Sequence, residues 1–191
     1  PQQALLAQDA GADALGLVIY QASSRCVDIE RAIEIRETIR PGVLCVVLLV
    51  NASADFVQQV ISSVKPDLIQ FHGNETGKFC RQFNFPYIKA VAVSSSVDLL
   101  QYAKDFYDAE ALLLDASHEH LKGGTGQTFD WNLIPAEESK PLIIAGGLNN
   151  ENITDLLRHT TPYAVDVSGG VEVLKGNKDY KKMENIINLI T

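Results

Sequence analysis

Gly123-Gly124-Thr125-Gly126-Gln127-Thr128-Phe129-Asp130-Trp131, Ala145-Gly146-Gly147-Leu148-Asn149 and Asp166-Val167-Ser168-Gly169-Gly170-Val171-Glu172 each follow an apolar run that reads as a strand. One such loop is a turn; three in succession at strand ends suggest one anion site built jointly. Glycine lets backbone N–H groups approach an anion closely, and a following helix N-terminus adds partial positive charge. In a (β/α)8 barrel the loops after the last strands hold phosphate in this way. These segments therefore point to a phosphorylated ligand on a barrel.

Working outward, the chain alternates strand and helix. Ala14–Tyr20, Val43–Val50, Asp67–Phe71, Tyr87–Val93, Ala111–Asp115, Pro141–Ala145 and Ala164–Ser168 are short and nearly continuous in apolar residues, as buried parallel strands are. Between them, Ile29, Ala32, Ile33 and Arg36 open a helix with Asp28 as N-cap and Pro41-Gly42 ending it. Phe56, Val57, Val60, Ile61 and Val64 form a second stripe at helical spacing, closed by Lys65-Pro66. The chain opens inside a helix, Gln2–Ala10, stopped by Gly11. Seven strands are one short of a closed barrel, and an open parallel sheet would expose two edges. An open doubly wound sheet is the alternative, although nothing marks its switch point. The expectation is one domain over residues 1–191, a (β/α)8 TIM barrel whose first strand lies outside these residues.

Composition narrows the function. A formal net charge of −8 and the lack of a basic run argue against nucleic acid or an anionic membrane as partner. No stretch reads as a signal peptide or membrane span. Three cysteines (Cys26, Cys45, Cys80) at irregular spacing suit reduced cytoplasmic thiols and not a disulfide framework. His118 and His120 flank Glu119, but no third ligand follows at useful spacing, so no metal is expected.

Several polar residues fall at strand ends. Asp115 terminates Ala111-Leu112-Leu113-Leu114, where burial would raise its pKa and suit it to donate a proton. A helix cap or a loop hydrogen bond fits the same position. Arg25 lies in the loop after the first visible strand; it is either a surface arginine or a two-pronged site for a carboxylate. His72, before Gly73, could line a pocket or hold structure, and Asp166 could orient a ligand or cap a turn.

Together these stretches resemble phosphoribosylanthranilate isomerase, a family of tryptophan biosynthesis. The resemblance runs in order from Gly11-Ala12-Asp13-Ala14-Leu15-Gly16 through Ser24-Arg25, Gln70-Phe71-His72-Gly73-Asn74-Glu75 and Leu113-Leu114-Asp115. It continues through the glycine segments to Gly176-Asn177-Lys178-Asp179. It implies a cofactor-free aldose–ketose isomerase acting on a small phosphoribosyl substrate, with Asp115 as general acid and Arg25 on the anthranilate carboxylate. Gly124, Gly147, Gly169 and Gly170 would then bind phosphate, with His72 and Asp166 lining the substrate site. Gln127 and Gly169 stand where the family often has lysine and serine. The family's basic cysteine, in a Lys-Ile-Cys-Gly stretch on its first strand, has no counterpart here. A non-catalytic phosphosugar-binding barrel is accordingly the second expectation. The related histidine-biosynthetic isomerase should show a two-fold repeat that this chain lacks.

Overall fold

The computed structural model describes residues 1–116, 128–135 and 140–191. Seven parallel strands form one curled sheet in strict chain order. They are β1 (Ala14–Val18), β2 (Leu44–Leu49), β3 (Leu68–Phe71), β4 (Tyr87–Val93), β5 (Ala111–Ala116), β6 (Leu142–Ile144) and β7 (Ala164–Val165). Helices separate them: α1 (Gln2–Ala10), α2 (Ile29–Arg36), α3 (Ala54–Val64), α4 (Gly77–Arg81), α5 (Leu99–Asp105) and α6 (Ile153–His159). After β7 come a single 3-10 turn (Gly169–Val171), a small antiparallel hairpin of β8 (Glu172–Leu174) with β9 (Asn177–Lys178), and α7 (Tyr180–Ile190). Sequential order with every neighbour parallel is the topology of a (β/α)8 barrel wall, here in seven strands; the doubly wound alternative, which needs a strand-order reversal, is excluded.

Local chemistry explains the boundaries. Asp28 accepts from Arg31 N at the start of α2, Ser53 from Phe56 N at α3, and Asp179 from Lys182 N at α7. Gly11 ends α1 at φ 102°, a conformation that costs a residue without Cβ nothing. On α3, Val57, Val60 and Val64 are buried against the sheet. Each such side chain contributes about 1.5–3 kcal/mol when fully buried. Val60→Asp would therefore place a charge in a dry layer and unseat the helix.

The sheet has two unlike faces. Outward residues, among them Val47, Leu49, Ile69, Phe71, Val91, Leu112 and Ile144, form the main core with the helices. Inward residues form a smaller cluster of Val46, Ile88, Ala90, Ala111, Leu113 and Ala145. Side chains alternate between faces with period two. The inward register therefore continues from Leu68 through Gln70 to His72, from Leu113 to Asp115, and from Ala164 to Asp166. All three polar residues then arrive at the same end of the sheet, above the interior cluster. No described helix is long and apolar enough to cross a membrane.

Candidate active site

At the carboxyl ends of the strands, His72 Nε2 lies 3.1 Å from Asp115 Oδ2. Its Nδ1 lies 2.8 Å from Gln70 Nε2. The Gln70 amide nitrogen can only donate, so Nδ1 accepts from it and Nε2 of the neutral ring carries the proton that faces Asp115 Oδ2. The apolar run before Asp115 predicts burial against its strand. Its side chain is instead 31% exposed, because it projects past the apolar run into the open mouth and pairs with His72.

Asp166 stands in the same mouth. Desolvation among the strand ends, followed by the nearby Asp115 carboxylate, raises the Asp166 carboxyl above its ordinary value, while His72 and Lys178 oppose the shift. The residue is nonetheless exposed, so water screens much of the desolvation, and the like charge of Asp115 is the firmer cause.

The second glycine segment turns beside these groups. Gly146 and Gly147 have φ of 79° and 67°, and a Cβ at Gly146 would collide with Ala116 N and the Asp115 carboxylate. The turn is tied by Asn152 Nδ2, which donates to Gly147 O at 3.0 Å, and by Asn149 N, which donates to Asn152 Oδ1 at 2.9 Å. Among the described residues the Gly147 N–H donates to no protein acceptor. In the third segment, Gly170 passes so close to Leu148 O and Asn149 that no side chain fits. The second and third segments are thus in contact, as a jointly built anion site requires. Gly124, and with it His118, Glu119 and His120, lies outside the described residues. The helix dipole invoked for these loops is slight: α6 has 7 residues, and the third segment leads into one 3-10 turn. Backbone N–H groups are what remain to meet an anion.

Arg25 comes to the edge of this site by a route the sequence did not reveal. Its Nε donates to Glu172 Oε1 at 2.6 Å and its Nη2 to Glu172 Oε2 at 2.7 Å. Its Nη2 would touch a Cβ at Gly169, 3.4 Å away, so the guanidinium abuts the third segment. Glu172 also accepts from Lys178 Nζ at 3.0 Å, and Lys178 reaches back to Ser168 O at 2.9 Å. Burial works against the Glu172 charge, yet the hydrogen bonds from Arg25 and Lys178 outweigh it and hold its carboxyl down at about 2. Gln70, Glu172 and Lys178 were not singled out from sequence. A glutamine inside an otherwise apolar strand is the available signal for Gln70; Glu172 and Lys178 stand within quoted motifs, but nothing local signals that they pair with each other and with Arg25.

Cys45 lies in β2 and Cys80 on α4, both buried on the outer side, and burial pushes their thiols up to about 11 and about 12. Cys26 is exposed beside Arg25. No group of three or more potential metal ligands occurs among the described residues.

Comparison with known proteins fits this arrangement. A family model for N-(5'phosphoribosyl)anthranilate (PRA) isomerase matches residues 1–189. The N-(5'-phosphoribosyl)anthranilate isomerase of Neisseria meningitidis serogroup C is 49% identical over 187 residues, 98% of this chain and 90% of that protein. Its counterpart from Legionella pneumophila strain Corby is 46% identical over 182 residues, 95% and 88% of the two chains. The crystal structure of phosphoribosyl anthranilate isomerase from Thermotoga maritima superposes with a TM-score of 0.90 at 35% identity, covering 99% of this chain and 93% of that one. Another, in complex with reduced 1-(o-carboxyphenylamino)-1-deoxyribulose 5-phosphate, gives a TM-score of 0.83 at 31% identity, with 99% and 92% covered. Strand order, glycine turns and whole-length similarity agree, and the chain belongs to the N-(5'-phosphoribosyl)anthranilate isomerase family.

Proposed function

We propose that this chain isomerises N-(5-phosphoribosyl)anthranilate to 1-(2-carboxyphenylamino)-1-deoxyribulose 5-phosphate in tryptophan biosynthesis. The reaction is an Amadori rearrangement, an aldose–ketose isomerisation that needs no cofactor. The observation that carries the reading is the meeting of His72, Asp115 and Asp166 on the inner face beside two contacting glycine turns. Family membership supports it. The setting is cytoplasmic, and the ligand is a small phosphorylated sugar derivative, not nucleic acid, in keeping with the net charge of −8.

The chemistry needs an acid and a base. A proton passes to the furanose ring oxygen, the C1′–O bond breaks, and the nitrogen lone pair forms a Schiff base. A base then removes the C2′ proton, and the electron pair moves to give an enolamine, which takes up a proton at C1′ as the ketone forms. Asp115 is the acid: it stands at the end of β5 in the open mouth, beside His72 and next to the Gly146 turn, where a ring oxygen can reach its carboxyl. His72 orients Asp115 through the 3.1 Å contact. Arg25 takes the anthranilate carboxylate, Asp166 faces the anthranilate part, and Gly147, Gly169 and Gly170 offer backbone donors to the phosphate, with Gly124 in the same role.

A non-catalytic phosphosugar-binding barrel is the second reading, favoured by one observation. Among the described residues, Cys45 and Cys80 are buried in the core between sheet and helices and Cys26 Sγ donates to its neighbour Val27 O, so none of the three is placed at the His72–Asp115 pair. Turnover and ligand binding measured side by side decide between the two. The isomerase reading expects conversion of N-(5-phosphoribosyl)anthranilate by the full protein. Tight binding of the reduced product analogue without conversion would replace it with the binder.

A further inference from the structure

Arg25 carries five N–H donors, and the Glu172 contacts occupy only one edge of its guanidinium. The Nε–Nη2 edge is closed by two bonds of 2.6 and 2.7 Å. Among the described residues Nη1 donates to no protein acceptor, and the Arg25 side chain keeps 20% of its surface open, against 5% for Glu172. The edge formed by Nη1 and the second N–H of Nη2 is therefore a parallel pair of donors with no partner among the described residues. Glu172 is itself fixed from the other side by Lys178, which is anchored to Ser168 O next to Gly169 and Gly170. The Lys182 ammonium holds the Glu172 carbonyl at 2.8 Å. The guanidinium is thus braced against the segment assigned to the phosphate.

We propose that Glu172 is the positioning residue for Arg25: it blocks one edge of the guanidinium and presents the other to the anthranilate carboxylate, at a distance from the phosphate turn set by the Lys178 brace. Glu172 touches no substrate atom in this arrangement and acts only through Arg25. The inference rests on the reading of Arg25 as the carboxylate site. It makes the pair a determinant of specificity, since a ligand must carry a carboxylate and a phosphate at the spacing the brace imposes. An arginine without Glu172 would sample many rotamers and lose that spacing.

A double-mutant cycle in the full protein tests this, with Glu172→Gln, Arg25→Ala and the pair compared for KM, kcat and thermal midpoint. Glu172→Gln keeps the shape and one acceptor. Its expected effect is a roughly tenfold rise in KM for N-(5-phosphoribosyl)anthranilate with kcat changed by less than about threefold, as for loss of binding felt equally in ground and transition states. In the Arg25→Ala background the same substitution should leave KM unchanged. A purely structural role would lower the thermal midpoint in both backgrounds and leave KM alone, which overturns the proposal, as does an additive cycle. Unchanged KM in Arg25→Ala by itself would instead overturn the assignment of Arg25.

Discussion

Two buried glutamates anchor two parts of the molecule, and they are used in opposite ways. Glu75, behind the rim between sheet and helices, accepts from Asn51 N at 2.7 Å, Gly73 N at 2.9 Å and Lys89 Nζ at 3.1 Å. Lys89 gives its other donors to Phe71 O and Gly73 O, and both side chains of the pair are 3% exposed. Every donor and acceptor is taken inside the protein. Glu172, at the mouth, is equally buried, but its arginine partner keeps an open edge toward the site. A closed network fixes backbone: Glu75 and Lys89 hold the loop that carries His72. An open one fixes a side chain that still has bonding capacity to offer a ligand.

The sharpest way to break this contrast is on the closed side. Lys89→Met leaves Glu75 charged and unpaired in the core and should lower stability by about 3–5 kcal/mol, measured by chemical denaturation. Lys89→Met with Glu75→Gln should recover part of that loss. A smaller effect is expected with pH. The Glu172 carboxyl is depressed from 4.5 to about 2, so its contribution to stability is fully present above pH 4.5 and lost as pH falls through 2. That contribution is about 3 kcal/mol at most for a shift of this size. The thermal midpoint should drop more steeply between pH 4.5 and 2 in the native protein than in Glu172→Gln; parallel slopes would mean the charge is not held there. The smallest change belongs to the turn. Gly147→Val forces a β-branched residue to a φ of 67° and crowds a backbone donor, and should raise KM roughly tenfold with kcat little altered. Unchanged KM in the folded variant would remove Gly147 from the phosphate site.

The strands were legible in the sequence because parallel strands buried on both faces leave unbroken apolar runs. β4 falls at Tyr87–Val93, as the run indicated, and Asp28 caps α2 as its position suggested. The last strand is shorter than its apolar run: Ala164–Ser168 contains only the two-residue β7, because the chain leaves the ladder early to make the Gly169–Val171 turn. The same alternation that builds the sheet brought His72, Asp115 and Asp166 together, and those residues could be named from their places at strand ends. The β8–β9 hairpin and the Glu172–Lys178 brace were invisible because they depend on contacts far apart in the chain: Arg25 and Glu172 are separated by 147 residues. No local pattern encodes such a pairing. Asp115 was placed correctly in sequence and wrongly in environment, since an apolar run buries the strand but not the residue just past its end.

The central claim is that Asp115 delivers a proton from the mouth of an isomerase. It is tested most directly by kcat and analogue affinity for Asp115→Asn in the full protein, measured with N-(5-phosphoribosyl)anthranilate and the reduced product analogue. An amide keeps the contact with His72 but has no carboxyl proton to give. The expected result is a fall in kcat of at least about a hundredfold with the analogue bound nearly as well as by the native protein. Turnover at the native rate by the folded Asn variant would contradict it.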